Sequence, residues 1–340
     1  MGASILRMCD YAKFFPGLPL SRERRIGLNM LMLIAAAPLA AQTFPSKPLR
    51  LVVAFPPGGT ADFVARTLAQ PLGAALGQNV VVENRAGGGT VIATEFVAKA
   101  PADGHTLLLT GFSFTANSAL RSNLPFDVQK DFAAVARLES SPWMVAAHPS
   151  LPVKSVKELI ALGKSKPGQI AFASSGNGTI LHLAAETFAS MAGIKMIHVP
   201  YKGSSQAVQA LLAGEVAVTF STMPPAVTNV KAGRLRALGV TTPKRNAAVP
   251  DVPAIAEAGL PGFDIVLYSG VLGPAKLPPA IVSKLNAEFA KAVAAADVKT
   301  VYAGLGVDAI TDTPAEFAAH IAADVDKLGK SVRAAGAHAD

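Results

Sequence analysis

The stretch Leu51-Val52-Val53-Ala54-Phe55-Pro56-Pro57-Gly58-Gly59-Thr60-Ala61-Asp62-Phe63-Val64-Ala65-Arg66 joins an apolar, strand-like run to a helical one through two prolines and two glycines. The same order recurs twice. Val80-Val81-Val82-Glu83-Asn84-Arg85 leads through Ala86-Gly87-Gly88-Gly89 to Thr90. Ile170-Ala171-Phe172-Ala173-Ser174-Ser175 leads through Gly176-Asn177-Gly178 to Thr179 and a helix reaching Glu186. A strand that turns through glycine into a helix leaves the first N–H groups of that helix unpaired and aims its positive end at the turn. Glycine lets an anion approach this backbone closely, so the pattern suits a carboxylate or a phosphate. It also suits plain β–α turns in which Gly and Thr only start helices. The first turn lacks the Lys-Ser/Thr of a P-loop, and neither of the others extends to G-x-G-x-x-G. A bare anion fits better than a nucleotide.

Outward from these turns, strand-like and helix-like runs alternate, which is the pattern of a parallel α/β sheet. Extended runs are predicted at 105–110, 143–149, 195–201, 216–221, 235–241 and 264–268. Helices are predicted at 155–166, 204–213, 224–231, from Pro278 onward and over 314–332. Ser155, with Glu158 three residues later, reads as a helix start and opens a second domain. The helix from Pro278 carries Ile281, Leu285, Phe289 and Val293 as an i, i+4 stripe.

Of the 340 residues, 51% are hydrophobic and only 16% charged, which implies well-filled cores and excludes a disordered chain. Sparse aromatics and the lack of basic clusters give no support to nucleic-acid binding. Arg22, Arg24 and Arg25, an apolar run over 26–37 and the small residues Pro38-Leu39-Ala40-Ala41 make 1–41 a signal peptide, cleaved near Ala41, with Arg24-Arg25 fitting twin-arginine export. Losing its five basic and two acidic residues lowers the net charge from +8 to +5. The single cysteine, Cys9, goes with it, leaving no disulfide or thiol chemistry. There is no G-x-S-x-G and no H-E-x-x-H, and His182 with Glu186 one turn later supplies two ligands, too few for a metal site. No catalytic residue, metal or cofactor is expected. Asp62 and Glu83 are the carboxylates nearest the proposed anion site, and Asp62 occupies a favourable dipole position in the first turn of its helix.

The run 55–66 resembles the opening motif of the tripartite tricarboxylate transporter substrate-binding proteins, the Bug-type receptors. Further matches follow in order: Val82-Glu83-Asn84-Arg85-Ala86-Gly87-Gly88-Gly89, Ala100-Pro101-Ala102-Asp103-Gly104-His105-Thr106-Leu107-Leu108, Phe126-Asp127-Val128-Gln129-Lys130-Asp131-Phe132, Ser174-Ser175-Gly176-Asn177-Gly178-Thr179-Ile180-Leu181-His182-Leu183, His198-Val199-Pro200-Tyr201-Lys202-Gly203 and Pro250-Asp251-Val252-Pro253. The resemblance covers about 45–335. It implies an α/β, periplasmic binding protein-like (type II) fold, two parallel-sheet α/β domains joined by two crossover segments. One domain would comprise 42–146 plus 265–340 and the other 147–264, with the ligand in the cleft between them. It implies a monomeric periplasmic receptor that closes around a small organic carboxylate and delivers it to the membrane subunits of the transporter.

Carried over by motif, the ligand residues are Phe55, Pro57, Gly58, Gly59, Thr60 and Asp62 from the first loop, and Ser174, Ser175, Gly178, Thr179 and His182 from the third. Tyr201, Lys202 and Gly203 border the same cleft. Two departures stand out. Many relatives carry an aspartate after the 216–220 strand, where this chain reads Phe220-Ser221-Thr222-Met223, which disfavours an amino-acid ligand. Tyr268 replaces a frequent tryptophan, keeping an aromatic wall and adding a hydroxyl. A receptor feeding a sensor kinase would use the same binding residues, and an α/β enzyme acting on a carboxylic acid is the remaining alternative.

Overall fold

The computed structural model describes residues 44–121, 123–177 and 179–335, and every statement of number or absence below refers to these. The signal segment and Gly178 lie outside the described residues.

Strand β1 (Leu49–Val53) buries all its residues but Arg50. Its alternate side chains feed two cores on opposite faces of the sheet. Leu51 and Val53 pack with Val64, Leu68 and Leu72 of α1 (Thr60–Leu76), whereas Val52 packs with Ala93 and Val97 of α2 (Val91–Ala98). A strand covered on both faces reads as a continuous apolar run, which is why 51–55 was legible as a strand. Around β1 the sheet is ordered β11 (Asp308–Ala309), β4 (Phe132–Ser141), β10 (Leu267–Pro274), β3 (Thr106–Gly111), β1 and β2 (Val80–Asn84), with β2 and β3 parallel to β1. After β3 come α3 (Phe112–Leu120) and β4 (Phe132–Ser141).

One residue, Pro142, separates β4 from β5 (Trp143–Ala147), which belongs to a second sheet. That sheet is ordered β7-β6-β8-β5-β9, from β6 (Ile170–Ser174), β7 (Met196–Pro200), β8 (Val218–Thr222) and β9 (Arg236–Val240). Trp143, Phe172, Phe188, Phe220 and Phe263 fill its core. The chain then returns as β10 (Leu267–Pro274) between β3 and β4, antiparallel to both.

The sheets are therefore mixed. β5 runs against β8 and β9, as β10 does against β3 and β4. The reason is geometric: the other long strands run toward the cleft, whereas a strand arriving from the opposite lobe starts at the cleft and must run away from it. Three helices follow: α8 (Pro279–Ala294), α9 (Ala296–Gly304) and, after β11 (Asp308–Ala309), α10 (Pro314–Ala335). The stripe read on α8 is largely inside, with Leu285, Phe289 and Val293 buried. In the second lobe α4 (Val156–Ser165) starts as its sequence predicts, Ser155 Oγ accepting from Glu158 N at 3.2 Å.

Gly111 ends β3 and opens α3 while lying against β10. A Cβ there would stand 2.2 Å from the Tyr268 carbonyl oxygen, a contact that only backbone movement relieves. Gly111→Ala is expected to cost about 1–3 kcal/mol. The measurement is the urea midpoint, which should fall at unchanged slope.

Candidate ligand-binding site

At the cleft ends of the strands lies a cavity of about 60 Å³. Five helices begin at it. α1 contributes its N-cap Gly59 with Thr60 and Ala61, and α3 contributes Gly111, Phe112 and Ser113. From the second lobe, α5 (Ile180–Ala192) brings Ile180 and Leu181, α6 (Ser204–Leu212) brings its N-cap Gly203 with Ser204, and α7 (Met223–Lys231) brings its N-cap Thr222. None of the five carries a side-chain cap, which is also true of α2, α8 and α9 away from the cavity; what sets the five apart is that their starts meet at one place. Uncapped helix starts converging on one point present the positive ends of five dipoles and free N–H donors, although α7, with Pro224 and Pro225 in its first turn, offers only that of Met223 there.

The rest of the wall is neutral. Phe55, Pro56, Leu267 and Tyr268 give it an apolar side, and no Lys, Arg, His, Asp or Glu lines it. The hydroxyls of Thr60, Ser113 and Thr222 are buried at this wall without a hydrogen-bond partner. A buried polar group left unpaired costs about 1–3 kcal/mol. Three of them on one wall are groups for a polar ligand to satisfy.

Of the residues expected from sequence, Phe55, Gly59, Thr60, Ser175, Gly203 and Tyr268 line this cavity. The other described ones do not, and most have identifiable work nearby. Gly58 takes φ +87°, open to glycine at little cost. Its N–H donates to Asp62 Oδ2 at 2.9 Å. Asp62 also accepts from Arg66 Nε at 3.0 Å and Asn84 Nδ2 at 2.9 Å. Burial pushes its carboxyl up, but these bonds outweigh it and hold it below the usual range. Asp62 thus braces the first loop. The Pro57 carbonyl accepts from Ser205 Oγ of the other lobe at 3.3 Å.

The third turn is braced in the same way. Ser174 is fully buried, its hydroxyl 2.6 Å from His198 Nε2 and accepting from Gly176 N at 3.1 Å. Thr179 Oγ1 donates to the Gly176 carbonyl at 2.7 Å and accepts from Ser175 Oγ at 3.1 Å. The His182 ring stacks on His198 at 3.9 Å, and His198 stacks on Phe172 at 4.9 Å. Ser174 and His198 make the contact of a nucleophile and its base, but the serine is closed off from solvent. Burial, then the neighbouring His182, lowers His198 to about 4, too weak a base for general-base work near neutrality. Tyr201 Oη donates to Glu215 at 3.1 Å, and Lys202 N donates to Gln206 Oε1 at 3.1 Å.

The second glycine turn is elsewhere. The Gly89 carbonyl accepts from Asn117 Nδ2 at 2.7 Å, and Glu83 faces Arg50 at 3.3 Å, so both serve the scaffold of the first lobe. The Tyr268 hydroxyl lies beside Thr115 and Asp324, and the ring meets His320 edge-on at 4.7 Å. Burial, then Asp324, keeps that phenol protonated well above its ordinary range.

Sequence reasoning missed Gly111, Phe112, Ser113, Ser204, Thr222 and Ser269 at this wall. The available signal was strand-then-helix order with a lone glycine, at Gly111 and at Gly203, rather than a glycine cluster. Thr222 carried a different signal, a strand end followed by Pro224 and Pro225.

Two α/β lobes joined at their strand ends, with a neutral-walled cavity between them, define a two-lobed periplasmic-binding-protein fold. The model of the tripartite tricarboxylate transporter family receptor matches residues 64–337, and the chain belongs to that family. It is 37% identical over 314 residues to protein BugT of Bordetella pertussis, covering 92% of this chain and 96% of that one. Among solved structures it is similar to R. palustris Rpa4515 with adipate, at a TM-score of 0.83 and 33% identity, covering 86% and 98% of the two chains. MatC from Rhodopseudomonas palustris with bound malate is similar at a TM-score of 0.80 and 31% identity, covering 85% and 100%.

Proposed function

We propose that this receptor captures a small organic carboxylate with an apolar body between its two lobes and presents it to the membrane subunits of a tripartite transporter. The observation that carries the reading is the meeting of five uncapped helix starts at a cavity without a charged side chain. The backbone supplies the positive field, the hydroxyls of Thr60, Ser113 and Thr222 supply hydrogen bonds, and Phe55, Phe112 and Leu181 cover the carbon skeleton. With no carboxylate at the wall, an ammonium group has no counter-charge, so amino acids are poor ligands. The relatives named above hold adipate and malate, both carboxylates.

The lobes, expected from sequence as 42–146 with 265–340 and 147–264 but divided at Pro142 because β5 pairs with β8 and β9, close about the crossovers. The empty protein favours the open form, and a ligand touching both lobes stabilises the closed one. Export through the 1–41 signal places the mature monomer in the periplasm. It binds without turnover, cofactor or metal.

Thermal shift with adipate, malate, benzoate and glutamate at neutral pH tests this. A rise in melting temperature with at least one of the acids lacking an ammonium group, unaffected by chelator, is the expected result. A response to glutamate alone, or one abolished by chelator, contradicts it.

A further inference from the structure

Behind the cavity wall lies a carboxyl that the binding reading leaves unused. Glu139 sits three residues before Pro142, where β4 leaves the first sheet, and is 0% exposed. In register it faces Ser269 of β10 on one side and Ala309 of β11 on the other. Ser269 itself lines the cavity. Both carboxyl oxygens of Glu139 are buried, with only the hydroxyls of Ser269 and Ser141 close enough to act on them.

Its surroundings supply no free counter-ion. Arg137, on the same strand, is held by Asp312 at 2.8 Å between Nε and Oδ2. Asp308 on β11 adds a like charge, and Tyr302 on α9 is a neutral phenol beside it. From α8, Asn286 donates to the Val135 and Asp312 carbonyls. From α10, His320 and Asp324 lie toward Arg137 and Tyr268. An ionised carboxylate in this place is uncompensated, and an anion in the cavity on the far side of Ser269 adds repulsion.

We propose that Glu139 is a proton-linked positioning residue: a carboxylate in the cavity makes it hold its proton more tightly, so the receptor takes up a fraction of a proton as it binds near neutrality. The proposal rests on the carboxylate reading of the cavity. Burial pushes the group up to about 7 in the empty protein, with Asp308 adding to the rise and the Ser269 and Ser141 hydroxyls and Arg137 opposing it. It is then part-ionised near neutrality, and bound anion draws the missing proton in. By linkage, affinity is highest below pH 7 and falls as pH rises through that value. Stability follows the same sign: the folded state holds this proton between the unfolded value near 4.5 and about 7, so its contribution is present at low pH and lost across that interval.

The test titrates adipate, malate and benzoate into the wild type and a Glu139→Gln variant, which keeps the shape and the neutral charge. Calorimetry at pH 7 in phosphate and in imidazole reads proton uptake, and titrations at pH 6.0 and 8.5 read affinity. Wild type is expected to take up a fraction of a proton and to bind about five-fold more weakly at pH 8.5, the lower end of ordinary coupling between sites. The variant should take up none and bind equally at both. Without ligand, the melting temperature of the wild type should fall relative to the variant between pH 5 and 7.5. Binding with no proton uptake and a flat pH profile in the wild type overturns the proposal, as do parallel melting curves. Should the variant fail to fold, the wild-type calorimetry decides alone. Failure of all three acids to bind either protein counts against the carboxylate reading itself, whereas binding without proton uptake counts against Glu139 only.

Discussion

Thr222→Asp is expected to weaken carboxylate binding by about 100-fold or more while leaving the fold intact. Thr222 occupies the N-cap position of α7 without capping it, and faces the cavity with a buried hydroxyl that has no partner. Aspartate is at least as good an N-cap as threonine, so the helix should not suffer. The new charge would lie among the helix starts that hold the ligand, with no cationic side chain at the wall to neutralise it. Two like charges about 5 Å apart at an effective dielectric of about 20 repel by roughly 3 kcal/mol, and each 1.4 kcal/mol is about tenfold. Protonating the new carboxyl removes the repulsion, so the loss should be larger at pH 8 than at pH 5. An amino acid, with an ammonium to meet the aspartate, should gain affinity. Calorimetric titration of an acid and of its α-amino analogue against both proteins checks each part.

Gly59→Val should weaken the same ligand by about 10–100-fold with little loss of stability. Gly59 has no other atom within 4 Å of the place a Cβ would take, and its φ of −88° is open to valine. The branched side chain therefore enters free space, and that space borders the ligand. Overfilling a packed site costs about 1–3 kcal/mol, here felt only in the complex. The neighbouring glycine gives a control with the opposite outcome. At Gly58 φ is +87° and a Cβ would stand 2.4 Å from Ser205 Oγ, so Gly58→Val should lose melting temperature as well as affinity. Melting curves without ligand separate the two.

The architecture was legible where residues are buried on both faces or carry an unmistakable cap. β1, β6 and the start of α4 follow in this way from apolar runs and from Ser155, and the half-buried edge strand β2 from its three valines. Two kinds of element were not. β4 mixes Arg137 and Glu139 into a strand whose partners come from β10 and β11, so its pattern reflects distant contacts rather than local periodicity. β10 continues past Gly270, where sequence reading stops at a glycine. In the structure a Cβ at that position would meet the Phe317 ring at 2.2 Å, so glycine there admits α10 to the sheet instead of ending the strand.

The site was half legible for a related reason. Glycine clusters mark 58–59 and 176–178 and the family resemblance marks Gly203, but the wall also uses a single glycine at Gly111 and a threonine at Thr222. Each is ordinary in sequence and becomes part of a site only when two crossovers bring the strand ends of both lobes together. The second cluster, 87–89, is more conspicuous in sequence than any of these, yet it braces α3 through Asn117.

The central claim is that helix starts and hydroxyls, with no charged side chain, hold a carboxylate between the lobes. The most direct measurement is calorimetric titration of the acid giving the largest melting shift alongside its methyl ester. The ester keeps the carbon skeleton and removes the negative charge. The acid is expected to bind and the ester to bind at least about 100-fold more weakly, since charge-assisted hydrogen bonds are roughly twice as strong as neutral ones and the dipoles act on charge. Equal affinity for acid and ester would contradict the claim.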